Sequence, residues 1–232
     1  MQDKPLILIT NDDGITAPGL RALIRIMNKI GEVVVVAPDS PQSGMGHAIT
    51  VDNMLTCNPI TIDEGPQLEY TCSGTPADCV KMAVNEILNR KPDLCVSGIN
   101  HGSNSSISAV YSGTLSAARE GAVQGIPAIG FSMSNFSHES DMEPSKVIVR
   151  KVLEEALNRP LAPGHLLNVN IPDLPIDKIK GIRITRQAEG RWIEEFDQRM
   201  DPYGRPYYWL TGRFELFDKG IDTDQYAMNE GY

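Results

Sequence analysis

The segment Leu6-Ile7-Leu8-Ile9-Thr10-Asn11-Asp12-Asp13-Gly14 constrains the fold more than any other stretch of the chain. A short unbroken apolar run reads as a strand buried on both faces, the habit of parallel sheets. It ends in two adjacent carboxylates and a glycine, so it delivers charge to its C-terminal edge, where open α/β sheets hold their ligands. Neighbouring carboxylates repel, and a shared proton or an intervening cation relieves the repulsion. Taken alone, N-D-D-G also fits a plain Asx turn between strand and helix.

The following residues repeat the pattern. Between Gly19 and Ile30, Leu20, Leu23, Ile24 and Met27 form one helical stripe that stops before Gly31. Val33 to Ala37, closed by Pro38, is a second strand, so the first 38 residues read as a right-handed βαβ unit. Asp39 to His47 is a Gly-, Ser- and Pro-rich loop leaving the same edge. Ala48 to Tyr70 has short alternating runs broken at Asn58-Pro59 and Gly65-Pro66, the mark of a hairpin excursion rather than another crossover. Thr75 as N-cap, Pro76 and Asp78 open a helix with Ala77, Val80, Val84, Ile87 and Leu88 inward.

A third short strand, Leu94-Cys95-Val96, carries Ser97-Gly98-Ile99-Asn100-His101-Gly102-Ser103-Asn104 to that edge. Ser112-Gly113-Thr114 opens a small-residue helix through Ala122, Ile126 to Phe131 is a strand, Glu143 to Leu157 a helix, and Leu166 to Ile171 the last strand of the main sheet. The predicted fold is therefore α/β, a Rossmann-like three-layer parallel sheet over residues 1–182, followed by a C-terminal extension over 183–232. Eight of the fourteen aromatic residues fall between Trp192 and Phe217, around an Asp201-Pro202-Tyr203-Gly204 turn. Such a hairpin either docks on its own domain or packs against a second copy of the chain.

Composition limits the partners. A net charge of −9 over 232 residues repels nucleic acid polymers and anionic membranes. The apolar run near the start is too short for a signal peptide or a membrane span, so the cytoplasm is expected. Cys57, Cys72, Cys79 and Cys95 show no metal-binding spacing and read as free thiols. Lys81 and Arg119 read as solvent-facing charges, and His47, His101, His138 and His165 as residues without an assigned role.

Strand ends at Asn11, Ser40 and Ser97 converge on one rim. Two carboxylates with amide and hydroxyl oxygens suit a hard cation, Mg²⁺, Mn²⁺ or Ca²⁺. The Ser112-Gly113-Thr114 helix start favours an anion, and Ser112 and Thr114 serve equally as plain helix caps. Together these describe a site for phosphate beside a metal.

Several motifs in order resemble the SurE survival-protein family: N-D-D-G at 11–14, A-P-D-x-x-x-S at 37–43, G-H-x-I-T at 46–50, S-G-T-P-A-D-C-V at 73–80, S-G-I-N-x-G-x-N at 97–104 and Y-S-G-T at 111–114. Further similarity lies at Thr185-Arg186-Gln187 and Tyr207-Tyr208-Trp209. The resemblance implies a metal-dependent phosphomonoesterase acting on nucleoside 5′- and 3′-monophosphates, with short polyphosphate as a further substrate. It implies one divalent cation per subunit held by Asp12, Asp13, Ser43 and Asn100, with Asp12 and Asp13 catalytic. The resemblance further implies that Asn11, Asn100, Asn104, Ser112, Gly113 and Thr114 line the substrate phosphate. A hairpin exchanged in a homodimer or homotetramer is implied as well. Ser106 and Ser108 stand where many members carry a glycine and an acid, and members usually continue past Tyr232 into another strand. The rival function is a receiver-like signalling module that binds Mg²⁺ and accepts phosphate on an aspartate.

Overall fold

The computed structural model describes residues 4–135, 142–159, 161–162 and 164–232; His138 lies outside them. In chain order the first elements are β1 (Leu6–Thr10), α1 (Pro18–Met27), β2 (Glu32–Pro38), β3 (Cys57–Ile60), β4 (Leu68–Cys72) and α2 (Pro76–Met82), which continues as a π-helical turn, Ala83–Ile87. Then come β5 (Leu94–His101), α3 (Ser108–Tyr111), α4 (Gly113–Val123), β6 (Ala128–Met133), α5 (Glu143–Asn158) and β7 (Leu166–Ile171). A 3₁₀ turn, β8 (Gly190–Met200), β9 (Pro206–Leu216) and α6 (Asp224–Asn229) complete the described chain.

Successive side chains of a strand point to opposite faces, and β1 and β2 use both. Ile7, Ile9, Val33 and Val35 meet Leu20, Leu23, Ile24 and Met27 of α1 and Val149, Val152 and Leu153 of α5. Leu6, Leu8, Val34 and Val36 face the other way, onto Cys79 and Val80 of α2 and Ala117, Ala118 and Ala122 of α4. Three layers result, with the sheet in the middle. Its order is β3-β4-β2-β1-β5-β6-β7, and every pairing is parallel except β3 with β4. Winding runs outward in both directions from β1 and β5, so the crevice at their C-terminal ends is the topological switch point.

Two expectations change. The 48–70 segment does contain a hairpin, β3–β4, but β4 also pairs parallel to β2, so the excursion ends as a crossover. The third core strand runs on to His101 instead of ending at Val96. Its register against β6 slips between Ser97 and Asn100. Gly98, at φ +126°, permits that slip: a Cβ there would lie 2.3 Å from the Phe131 carbonyl oxygen. A glycine inside a strand reads locally as a loop signal, which hid the strand's length.

Among the described residues, the strands β8 and β9 pair only with each other. Trp192, Phe196, Tyr207, Tyr208, Trp209 and Leu210 on them are exposed, so the hairpin does not bury its aromatic side chains on its own domain. Among the described residues no helix is long and apolar enough to cross a membrane.

Candidate active site

At the end of β1 the Asn11 amide Nδ2 donates to the Gly14 carbonyl at 3.0 Å, which closes the turn and presents Asp12 and Asp13. Asp12 is buried beneath the start of α4. Ser112 caps that helix, its Oγ accepting from the Leu115 N–H at 3.0 Å. Two residues on, the Thr114 hydroxyl donates to Asp12 Oδ1 at 2.5 Å. Gly113 makes the approach possible: a Cβ there would sit 2.6 Å from Asp12 Cβ and 2.8 Å from Oδ2. Burial pushes the Asp12 carboxyl up to about 6, opposed by the Thr114 hydrogen bond and reinforced by the Asp13 charge.

The loop after β2 folds onto this turn. The Gln42 N–H donates to the Asp12 carbonyl at 2.7 Å, and the Gly46 N–H to the Tyr111 carbonyl at 3.1 Å. Ser43, exposed, lies between these two ties. His47 then anchors the loop to α4, its Nε2 3.0 Å from Glu120 Oε2. Lys81 joins the same buried carboxylate at 2.8 Å, so it is an ion-pair partner rather than a free solvent-facing charge. Charge pairing across α2 and α4 leaves no trace in local sequence.

From β5, the Asn100 Nδ2 donates to the Gly102 carbonyl at 2.7 Å, which fixes the orientation of the amide. Next to it, His101 has a side chain only 3% exposed, with Nδ1 3.9 Å from Asp13 Oδ2. Sequence reasoning gave this histidine no role; only the parallel pairing of β1 and β5 brings it to the aspartates. Asn104 is tied to β6 and β7 through its backbone and its Nδ2. Its N–H donates to Asn170 Oδ1, its Nδ2 to Ser132 Oγ, and its carbonyl accepts from Asn168 Nδ2. Those bonds, at 2.8, 2.8 and 2.9 Å, make it an anchor of the β5 loop onto β6 and β7. Ser106 adopts φ +51° and is held by Asp224 and the Ala188 carbonyl.

Several buried oxygens at the switch point have no hydrogen-bond partner among the described residues: Thr10 Oγ1, Asn11 Oδ1 and Ser97 Oγ. Thr10 and Ser97 are register partners across β1 and β5. Unpaired buried polar atoms cost about 1–3 kcal/mol each, so such a cluster is expected only where a ligand, ion or water completes it. Among the described residues no three His, Cys, Asp or Glu side chains form a metal cluster. Two carboxylates supplemented by neutral oxygens remain, and that donor set fits a hard divalent cation rather than zinc.

Comparison with known proteins gives four findings. The family model described as Survival protein SurE matches residues 7–194. A protein of Christiangramia forsetii named 5'-nucleotidase SurE is 60% identical over 230 residues, covering 99% of this chain and 88% of that protein. Another of the same name, from Chlorobaculum tepidum, is 44% identical over 99% of this chain and 86% of its own length. A crystal structure of the SurE protein from Aquifex aeolicus superposes with a TM-score of 0.82 at 39% identity, covering 98% of this chain and 90% of that one.

Proposed function

Because this chain belongs to the SurE survival-protein family, we propose that it is a metal-dependent phosphomonoesterase that hydrolyses nucleoside 5′-monophosphates, with 3′-monophosphates and short polyphosphate as further substrates. The observation that carries the reading is the packing of the α4 N-terminus on a buried aspartate at the switch point, made possible by Gly113. The names of the relatives, 5'-nucleotidase SurE, point to the same substrate class.

In this reading Asp12, Asp13, Ser43 and Asn100 hold one divalent cation, Mg²⁺, Mn²⁺ or Ca²⁺. Such a cation supplies charge neutralisation for the phosphoryl group as the ester bond breaks. The chain's own groups do the rest. The N-terminal end of α4 favours an anion there, by its dipole and the N–H of Gly113, while the Leu115 N–H is taken by the Ser112 cap. Thr114 fixes the rotamer of Asp12 through its hydroxyl, and Asn11 holds the turn that separates the two carboxylates. His101 lies beside Asp13, where it can orient that carboxylate or pass a proton. The exposed aromatic hairpin is the surface through which two or four copies associate.

The test is phosphate release from AMP and GMP by the purified protein with each cation. Steady turnover that stops on chelation supports the enzyme, and stoichiometric self-phosphorylation without turnover would instead support a receiver-like module. Asp13→Asn is expected to abolish metal-stimulated turnover with an unchanged circular dichroism spectrum. Wild-type-like activity in that variant would refute the assignment.

A further inference from the structure

Three of the four cysteines, scattered in sequence, meet between the outer hairpin and α2. Cys57 on β3 stands directly opposite Cys72 on β4. Cys72 and Cys79 are buried in the layer beneath α2, and Cys57 packs against the same cluster. The thiol of Cys72 interacts with those of both Cys57 and Cys79.

The Cys57 and Cys72 pair is of a particular kind. The Ser73 N–H donates to the Thr56 carbonyl at 2.9 Å, immediately beyond the pair. That bond belongs to the flanking rung of the ladder, so Cys57 and Cys72 occupy a non-hydrogen-bonded position. Such pairs bring Cα atoms to about 4.5 Å and their side chains closer than at the alternate rungs. A disulfide spans Cα separations of about 4.4–6.8 Å. The two thiols therefore need no backbone rearrangement to join.

We propose that Cys57 and Cys72 are a reversible oxidation site, closing to an intramolecular disulfide when the protein meets a hydroperoxide. Cys57, on the edge strand and the most accessible of the four thiols, passes its proton to the hydrogen-bonded Cys72 thiolate as its sulfur takes the terminal peroxide oxygen; it becomes a sulfenic acid, and the departing oxygen takes that proton from Cys72 to leave as water or an alcohol. The Cys72 thiolate then attacks the Cys57 sulfur; the S–S bond forms and hydroxide departs, to be protonated as water. Two thiols lose two electrons and two protons, and the peroxide is the electron acceptor. Cys72 suits the attacking role: hydrogen bonding from Cys79 and from the Gly74 N–H brings it down to about 7 against the effect of burial. Burial instead raises Cys57 to about 11 and Cys79 well above its ordinary value. The fourth, Cys95, is fully buried in β5, pushed up by burial to about 12, and takes no part.

The closed bond would staple the outer hairpin at the root of the Ser43 loop, because the Cys72 carbonyl accepts from the Asp39 N–H at 2.8 Å. The experiment treats the whole protein with hydrogen peroxide, alkylates the remaining thiols and maps peptides by mass spectrometry. Expected are a Cys57–Cys72 linked peptide, loss of two of the four free thiols, a rise in melting temperature and reversal of all three by dithiothreitol. Cys57→Ser should lose both the link and the melting shift, whereas Cys79→Ser should keep them. A link between Cys72 and Cys79, links between chains only, or overoxidation of Cys57 with no link would each overturn the proposal. The wild-type peptide map decides this even where a variant fails to fold.

Discussion

Gly113 gives α4 its closest approach to the site, and its missing side chain is the reason. An added methyl group collides with Asp12, so Gly113→Ala must push the helix start or the carboxylate by a good fraction of an ångström. Displacements of that size cost about a hundredfold in rate. Phosphate release by Gly113→Ala is expected to fall by about that factor with the fold intact, and a drop smaller than tenfold would argue against the site. Asp12 carries a second signature. Its carboxyl is held near 6 in the folded protein and returns to the ordinary range on unfolding. The folded state therefore binds the proton more tightly, and stability contributed at acid pH is lost as pH rises through about 6. For this one group the loss is about 3 kcal/mol. In chelator, denaturant titrations should show wild type losing stability between pH 4 and 7 relative to Asp12→Asn. Divalent cation should restore it at pH 7, and a flat difference would refute the linkage.

At the scale of elements, the loops of the site are fastened from behind. Arg21 on α1 reaches Glu69 on β4 with two bonds of 2.6 and 2.7 Å, and Asp63 at 3.0 Å. Both Arg21 and Glu69 side chains are almost wholly enclosed, at 7% and 2% exposure. Removing one partner of such a pair strands the other charge, at a cost of about 3–5 kcal/mol. Arg21→Met is expected to destabilise the protein by that amount in urea titration, and a change under 1 kcal/mol would mean that water satisfies Glu69. Helix starts were legible here because their signals are local. Thr75 forms the capping box with Asp78 that its spacing predicts, and Ser112 is the N-cap of α4. The length of β5 was not legible, because Gly98 is explained only by the Phe131 carbonyl of the adjacent strand.

Over the whole molecule, an acidic α/β body carries a hairpin with its aromatic residues in solvent. Phe196 is 66% exposed and Trp209 59%, and large apolar side chains grouped this way mark surfaces that meet another chain. For the proposed oligomer, replacing both with Asp is expected to give a smaller species by light scattering after size exclusion, with the sheet's far-ultraviolet signal retained. An unchanged mass would exclude the hairpin as the contact.

The amino-acid sequence alone determined the layers and the loaded edge. Apolar runs of strand length, helical stripes and turn residues act over a few positions, and parallel topology then sends the C-terminal junctions of the parallel strands to one side. Tertiary structure decided which side chains meet there. Thr114 and Asp12 are 102 residues apart, and Asn104 is committed to Ser132, Asn168 and Asn170 on strands it does not adjoin in sequence. His101 beside Asp13, and three thiols in one cluster, follow likewise from strand order and register. Those are set by the burial of the whole sheet, which no short window of sequence contains.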